Sequence, residues 1–326
     1  MKGFITGIVL VAILTLLYAR GQDETNDWCK TQDAKELRKR TLTSSRFRSF
    51  DDLFRGAAQG KVALFAHRGG YTCEELDRAP ENSLANVEKA IRMGFDVYET
   101  DLWRTSDGGY VIHHDSTLDR TTTGSGRVSD STLKQISGLR LEYPSGQVST
   151  ERVPTLRELI SAGQDRILFL VEIKGKAREH LPEILQIVKE TALMEQVLFW
   201  VTWDEKYVEL YERQLKSGLE EVRTSVVWRV DSLEKFEDIA TRFNPLFVDL
   251  VPSMNAMRLE SSFLHILPKE HLSLVEKVVP QPINIMVSKI ISDSYLDILY
   301  DRGVRLFMSR DPERQLHHLI KKGLHP

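Results

Sequence analysis

The sequence predicts an α/β fold, a (β/α)8 barrel of the TIM type with one additional antiparallel hairpin strand near its start. From residue 61 onward, short apolar runs alternate with amphipathic segments, which is typical of parallel strands joined by helical crossovers. The chain has 326 residues, of which 41% are hydrophobic. This length suits one barrel of about 250 residues with an N-terminal extension.

The apolar runs number one more than a barrel needs. They lie at residues 62–66, 96–102, 110–114, 167–173, 196–201, 225–230, 246–250, 283–287 and 304–308. Only a Ser-Asp-Gly-Gly turn at 106–109 separates the second and third runs, so they form a hairpin rather than a parallel pair. Counting outward from Asp107 and Gly108 predicts that Asp101 lies opposite His114, with His113 on the other face.

Capping signals delimit the predicted helices between the strands. Ser83 is suited to cap the start of one helix, and Gly94 follows its last turn. Thr155 and Glu158 have the spacing of a capping box at the start of another. Pro182 marks the first turn of a third helix. These signals support strand-helix alternation along the chain.

Residues 1–21 predict a targeting segment. An uncharged, mostly apolar stretch lies between Lys2 and Arg20, long for a signal peptide and slightly short for a membrane span. A cleaved signal peptide and a retained membrane anchor both stay open. Either predicts a protein that is exported, periplasmic or extracellular, and an anchor would associate it with a membrane.

A polar extension, residues 22–58, precedes the predicted barrel domain at 59–326. Its basic stretch at 35–40 indicates a solvated helix or linker, with contact to anionic lipid headgroups as the alternative. Two cysteines are present, Cys29 in the extension and Cys73 in the barrel domain. They form either one bridge or two unrelated free thiols.

The charge balance argues against a nucleic-acid partner. The formal net charge is -3 at pH 7, so the chain has no overall basic field to attract phosphate backbones. We expect a small-molecule or lipid-derived substrate and no nucleic acid.

Polar residues with catalytic chemistry stand at the ends of the first four predicted strands. They are His67 and Arg68 after the first, Glu99 and Asp101 in the second, His114 in the third, and Glu172 and Lys174 at the fourth. Strand ends of a barrel converge on one rim, where barrel enzymes keep their active sites. Carboxylates bind hard divalent cations and imidazoles move protons near neutral pH, so the set suits metal-assisted cleavage of a phosphate ester.

Each of these signals also has a structural interpretation. The carboxylates of Glu99 and Asp101 could form a solvated strand edge, although an unpaired carboxylate at the end of an apolar strand is costly. Glu172 and Lys174 could form a buried ion pair. Singly, none of the signals identifies a site.

Taken together, the motifs resemble those of the glycerophosphodiester phosphodiesterase family in order and spacing. The matching residues are His67-Arg68-Gly69, Pro80-Glu81-Asn82-Ser83, Glu99-x-Asp101, Asp107-Gly108, His114-Asp115, Leu118-Asp119-Arg120-Thr121-Thr122, Gly124-x-Gly126, Pro154-Thr155-Leu156 with Glu158, and Glu172-Ile173-Lys174. The resemblance is dense over residues 62–175.

The resemblance implies a TIM barrel that hydrolyses glycerophosphodiesters to an alcohol and glycerol 3-phosphate, using calcium or magnesium. It places general acid-base catalysis on His67 and His114, metal ligation on Glu99, Asp101 and Glu172, and substrate binding on Arg68, Lys174, Glu81 and Asn82. Two alternatives stay open. One is a lysophospholipase D or another phospholipid phosphodiesterase, and the other is a non-catalytic exported binding or envelope protein on the same barrel.

The second half of the chain departs from the family pattern. Ile-Met-Val-Ser at 285–288 stands where the family often has Trp-Thr-Val-Asn. Met286 in place of an aromatic residue predicts an adaptable substrate pocket. An insertion at 70–79 separates the first two motifs and is expected to form a lid or part of the substrate rim.

Overall fold

The computed structural model describes residues 28–192, 194–252, 269–281, 283–290 and 292–326. The targeting segment predicted at residues 1–21 lies outside these residues. Within the described ranges, no helix has the length and apolar character that crossing a membrane requires.

Eleven strands are described, and eight of them form a closed parallel barrel. The strands are β1 Ala63–Ala66, β2 Val97–Arg104, β3 Tyr110–Ile112, β4 Arg140–Glu142, β5 Val148–Arg152, β6 Leu168–Ile173, β7 Val197–Thr202, β8 Val226–Val230, β9 Phe247–Leu250, β10 Asn284–Ile290 and β11 Leu306–Ser309. The barrel order is β1, β2, β6, β7, β8, β9, β10 and β11, and β11 closes on β1. The predicted TIM-type fold is confirmed.

Helices follow most barrel strands and cover the outside of the barrel. They are α1 Gln32–Arg38, α2 Phe50–Ala58, α3 Glu74–Asp77, α4 Leu84–Met93, α5 Leu133–Ser137, α6 Leu156–Gly163, α7 Leu181–Thr191, α8 Glu205–Lys216, α9 Glu221–Thr224, α10 Leu233–Phe243, α11 Lys269–Val278, α12 Asp293–Asp301 and α13 Pro312–Lys321. Short 3-10 helices lie at His67–Gly69, Val128–Asp130, Gly175–His180 and Met194–Gln196. The predicted caps are present: Ser83 caps α4, and Thr155 with Glu158 forms the capping box of α6.

Strand β3 pairs antiparallel with β2, as the short turn predicted, but the predicted register is wrong by one residue. Leu102 lies opposite Ile112, and the backbone N–H of His113 donates to Asp101 O at 2.9 Å. The loop has three residues rather than two, with Gly108 in the left-handed region at φ 89°. Such a loop shifts the pairing from the one a two-residue turn sets. Asp101 is therefore opposite His113, not His114.

A second hairpin, formed by β4 and β5, was not predicted. Its strands read Arg-Leu-Glu and Val-Ser-Thr-Glu-Arg, and most of their side chains are partly or fully exposed. Neither strand has the apolar run by which the other strands were recognised. The hairpin lies in the segment between β3 and α6 and forms a two-stranded sheet apart from the barrel.

The lower interior of the barrel is closed by the N-terminal extension. Phe50 and Leu53 of α2 are buried in the same cluster as the inward-facing Phe65, Leu170 and Met286. The barrel's packing therefore begins before residue 59, where the sequence placed the domain boundary. Burial of Met286 in this floor also contradicts its predicted contact with substrate.

The basic residues of the extension are engaged within the protein. Arg46 makes a bidentate pair with the buried carboxylate of Asp96, at 2.9 and 2.8 Å. Arg38 Nε lies 2.8 Å from Asp77 Oδ1. These pairs anchor the extension to the barrel. The basic stretch predicted as a solvated helix or linker lies in and after α1, where Lys35 and Lys39 are exposed and Arg38 is paired.

The first half of the insertion at 70–79 is held by a disulfide and by a buried lysine. Cys29 and Cys73 form a disulfide, so the first of the two alternatives for these cysteines is present. The buried ammonium of Lys89 donates to Gly70 O and lies 2.9 Å from Glu313 Oε1. The insertion therefore forms a fixed part of the rim.

Removal of the disulfide is expected to destabilise the protein. The Cys29→Ser/Cys73→Ser variant should lose about 2 to 4 kcal/mol of unfolding free energy, because the bridge closes a long loop in the unfolded chain. Urea denaturation monitored by circular dichroism measures the loss. Reductant should lower the midpoint of the wild type and leave the double variant unchanged; equal stability of the two proteins would contradict the expectation.

Candidate active site

Three carboxylates converge at the carboxyl end of two neighbouring barrel strands. Glu99 and Asp101 of β2 point into the barrel, and Asp101 is the register partner of Glu172 on β6. All three are buried, and each offers an oxygen within 4.8 Å of the others. Because β2 and β6 are parallel neighbours, their strand ends bring these like charges together.

Glu99 is the carboxylate of the cluster with the fewest partners. Its Oε2 accepts a hydrogen bond from the Arg68 backbone N–H at 2.8 Å, whereas Oε1 is buried without a hydrogen-bond partner among the described residues. Burial, with the charges of Asp101 and Glu172, raises the pKa of Glu99 well above its usual value. An all-oxygen set with an orphaned buried oxygen fits a hard divalent cation.

Lys174 balances the other two carboxylates. Its ammonium lies 2.9 Å from Asp101 Oδ1 and 2.7 Å from Glu172 Oε2. Burial opposes ionisation of Asp101, but Lys174, His114 and other cations outweigh it and lower the pKa of Asp101. The pKa of Lys174 is raised because its two carboxylate partners outweigh its own burial.

Asn82 fixes the orientation of Asp101. Its amide Nδ2 donates to Asp101 Oδ2 at 3.0 Å, and its Oδ1 accepts from Thr100 Oγ1 at 2.7 Å. The two contacts determine which way the amide faces. Asn82 thus acts on the carboxylate cluster.

A tight turn after β1 positions His67. Arg68 has a φ of 50° and Gly69 a φ of 80°, and a Cβ on Gly69 would lie 2.3 Å from the Tyr98 ring. This turn brings His67 Nε2 to 4.0 Å from Glu99 Oε2. Burial, with the charge of Arg68, lowers the pKa of His67 well below its usual value. His67 is therefore neutral near pH 7 and able to accept a proton.

His114 reaches the site because β3 ends at Ile112 and the chain turns. Its Nδ1 donates to Asp115 Oδ1 at 2.5 Å, and its Nε2 accepts from an Arg68 guanidinium nitrogen at 2.6 Å. The neighbouring His113 is buried and faces away, with contacts to Asp115 O and Thr121 Oγ1. The predicted separation of the two histidines holds, although the turn and not strand alternation produces it.

A closed ring of charges joins the two histidine-bearing segments. Arg68 lies 3.1 Å from Glu81 Oε2, and Arg120 lies 2.6 Å from Glu81 Oε1. Arg120 also pairs with Asp115 at 2.7 Å, and Asp115 holds His114. Glu81 therefore acts on the two guanidinium groups and keeps its own pKa low, since their charges outweigh its burial.

Arg229, which the sequence analysis missed, borders the cluster from β8. Its guanidinium stacks 3.4 Å from the centroid of the Trp200 ring and donates to Asp249 Oδ2 at 3.3 Å. It also lies 3.8 Å from Glu172 Oε1. Arg229 and Asp249 each interrupt an apolar strand, as Glu172 does. The same sequence signal could therefore have identified Arg229.

All nine predicted site residues lie at or beside the carboxyl-terminal rim of the barrel. They are His67, Arg68, Glu81, Asn82, Glu99, Asp101, His114, Glu172 and Lys174. A (β/α)8 barrel with two imidazoles, three converging carboxylates and several cations at this rim is an enzyme suited to an anionic substrate.

The sequence profile of the glycerophosphoryl diester phosphodiesterase family matches residues 67–250, more than half of the chain. The chain belongs to this family, and it is an enzyme of the phosphodiesterase class.

The chain is similar to named phosphodiesterases over different lengths. The chain is 27% identical over 269 residues to a glycerophosphodiester phosphodiesterase of Caldanaerobacter subterraneus subsp. tengcongensis, covering 81% of this chain and 99% of that protein. It is 42% identical over 126 residues to glycerophosphodiester phosphodiesterase 1 of Rattus norvegicus. That second match covers 36% of this chain and spans only 35% of the rat protein.

Solved structures share the fold. A glycerophosphoryl diester phosphodiesterase from Parabacteroides distasonis has a TM-score of 0.65 at 21% identity, covering 88% of this chain and 95% of that one. An Oleispira antarctica phosphodiesterase, solved with the product sn-glycerol-3-phosphate, has a TM-score of 0.62 at 20% identity. It covers 81% of this chain and 99% of that one.

Asp115 is expected to position His114 for proton transfer. Asp115→Asn should lower kcat roughly 10- to 100-fold with little change in KM, because the imidazole loses its orienting carboxylate while the phosphate contacts remain. Steady-state kinetics measure the split. The matched control is Asp119→Asn in the same loop, whose carboxylate accepts from Gly126 N and makes no contact with His114. Equal effects of the two variants would contradict the role of Asp115.

Proposed function

We propose that the chain hydrolyses glycerophosphodiesters to an alcohol and glycerol 3-phosphate, with a divalent cation and with acid-base catalysis by His67 and His114. The observation that carries the proposal is the buried, converging carboxylate set with the orphaned Glu99 Oε1, beside the neutral imidazole of His67. Family membership and the glycerol 3-phosphate held by the Oleispira antarctica relative support this substrate class.

Glu99, Asp101 and Glu172 would hold the cation, and their oxygen ligands suit calcium or magnesium. When bound, such an ion supplies Lewis-acid stabilisation of charge on the phosphoryl group. Arg68 and Lys174 add fixed positive charge beside it. Their charges offset the negative charge that builds on the phosphoryl oxygens in the transition state.

Proton transfer falls to the two imidazoles. One histidine takes the proton of the attacking hydroxyl group, and the other returns a proton to the oxygen of the departing alcohol. Asp115 holds His114 through Nδ1, so that the other ring nitrogen, Nε2, stays directed toward the site. Tyr71 packs edge-on against His67, with ring centroids 5.5 Å apart, and limits the movement of that ring.

We propose further that the protein works in an oxidising compartment outside the cytoplasm. The Cys29–Cys73 disulfide supports this, since such bridges persist in exported proteins and are rare in reducing compartments. The apolar segment at 1–21 adds support from the sequence alone.

The wild-type protein is expected to release choline and glycerol 3-phosphate from glycerophosphocholine. Hydrolysis should cease after chelation of divalent ions. His67→Ala and His114→Ala should each lower kcat about 10²-fold or more, because each removes a proton-transfer group. An enzyme-coupled assay for glycerol 3-phosphate measures the rates.

The control is His113→Ala, which removes an imidazole of the same chain segment that faces away from the site. It should lower the melting temperature, since its ring is buried and hydrogen-bonded to the loop, and should change kcat little. Full activity of the His67 or His114 variant, or hydrolysis after exhaustive chelation, would refute the proposal.

Binding of the cation should release a proton from Glu99. Because burial and the charges of Asp101 and Glu172 raise the pKa of Glu99 in the metal-free site, its proton is held to a higher pH than in an ordinary carboxyl, and affinity for the cation should increase as pH rises toward that pKa. Calorimetric titration of calcium and magnesium in buffers of different ionisation enthalpy should show proton release on binding, and this release should decrease as the pH is raised.

Glu99→Gln should abolish this proton release and weaken binding on the order of a hundredfold. The matched control is Glu190→Gln, which changes an exposed carboxylate paired with Arg157 on the outside of the barrel. Buffer-independent heats in the wild type would contradict the protonation of Glu99.

A further inference from the structure

A second group of cations lies on the rim at the ends of β8, β10 and β11. It consists of Arg229, Lys289 and Arg310, and we term it the distal cation cluster. Arg229 borders Glu172 at 3.8 Å. On the other side, the backbone carbonyl of Arg310 accepts from the Tyr71 hydroxyl at 3.1 Å, and the Tyr71 ring packs against His67. Arg229 therefore borders the carboxylate set, and the backbone of Arg310 contacts the tyrosine that packs on His67.

The backbone at Lys289 is unusual for its residue type. Its φ is 60°, in the left-handed region, which disfavours any residue with a Cβ. The pairing of β10 with β11 shifts register between Val287 and Ile290, so Lys289 lies in a bulge. Bulges next to active sites redirect a side chain out of the regular alternation of the strand. Lys289 thus lies where the regular alternation of the strand is interrupted.

Lys289 is partly buried and makes no ion pair among the described residues. The nearby carboxylates are already engaged: Asp249 accepts from Arg229 and from Ser288, and Glu172 is paired with Lys174. Burial and repulsion by Arg229 and Arg310 lower the pKa of Lys289 to about 8. Lys289 therefore has no counter-ion among the described residues, and an anion bound beside it would supply one.

We propose that the distal cation cluster binds a second anionic group, a carboxylate or a phosphate, on the alcohol portion of the substrate. The inference rests on the proposed function. A glycerophosphodiester carries one negative charge at the phosphorus, which Arg68 and Lys174 already meet, and its glycerol portion is neutral. Only the alcohol portion can supply a second charge. The chain would therefore prefer glycerophosphodiesters of acidic alcohols.

The test compares substrates that differ only in one anionic group. The matched pairs are glycerophosphoinositol against its 4-phosphate, and glycerophosphoethanolamine against glycerophosphoserine. The wild type should show a higher kcat/KM for the more anionic member of at least one pair. The pair that shows the preference identifies whether the cluster selects phosphate or carboxylate.

Lys289→Gln should reduce that preference about tenfold or more, since a charge-assisted contact is lost. Lys289→Arg should retain it, because the positive charge remains. Lys216→Gln is the matched control: Lys216 is exposed at the last turn of α8, pairs with Glu212, and should leave the preference unchanged.

Equal kcat/KM values within both pairs in the wild type would overturn the inference, as would a preference that Lys289→Gln leaves intact. Either result would leave the proposed function standing, because hydrolysis itself would have been observed. Absence of hydrolysis with every substrate, in the presence of calcium or magnesium, would overturn the proposed function and the inference with it.

Discussion

The structure of the site follows from one constraint, the repulsion among three carboxylates buried within 4.8 Å of one another. The three carboxylates differ in the groups that offset their charges. Asp101 is paired with Lys174 and the Asn82 amide, and Glu172 is paired with Lys174 and borders Arg229. Glu99 has neither cation within pairing distance, and its pKa is raised by burial and by the other two carboxylates. Because buried charges are stable only when paired, these partners are part of the site's architecture as much as of its chemistry.

The supports of the site come from separate parts of the chain and depend on one another. Arg68 contributes its backbone N–H to Glu99, and its guanidinium group to Glu81 and His114. One residue therefore links the carboxylate cluster to the ring of charges around Asp115. Substitutions within such a network are not expected to be additive, since each removes a partner that another group shares.

Apolar runs and capping residues predicted the barrel strands and the principal helices, because these follow local periodicity. The site carboxylates were predictable because a charged residue that interrupts a buried strand needs a partner. The strand register at Asp101 could not be predicted, since it depends on the left-handed φ of Gly108 and a three-residue loop. The β4–β5 hairpin lacks an apolar pattern, and the burial of Phe50 and Met286 in one floor arises only when distant segments meet.

The extension that closes the barrel floor contacts both the ninth strand and the C-terminal residues. Phe54 packs against Phe247 of β9, with ring centroids 5.2 Å apart. Arg40 donates to Pro326 O at 2.8 Å, and Lys321 pairs with Asp33 at 3.0 Å. These contacts join segments that are far apart in the sequence. Native pairing of such distant segments slows folding, because the loop between them must close first. A growing chain therefore exposes the apolar face of α2 until the barrel strands that line the floor have formed, and we expect the extension to pack last.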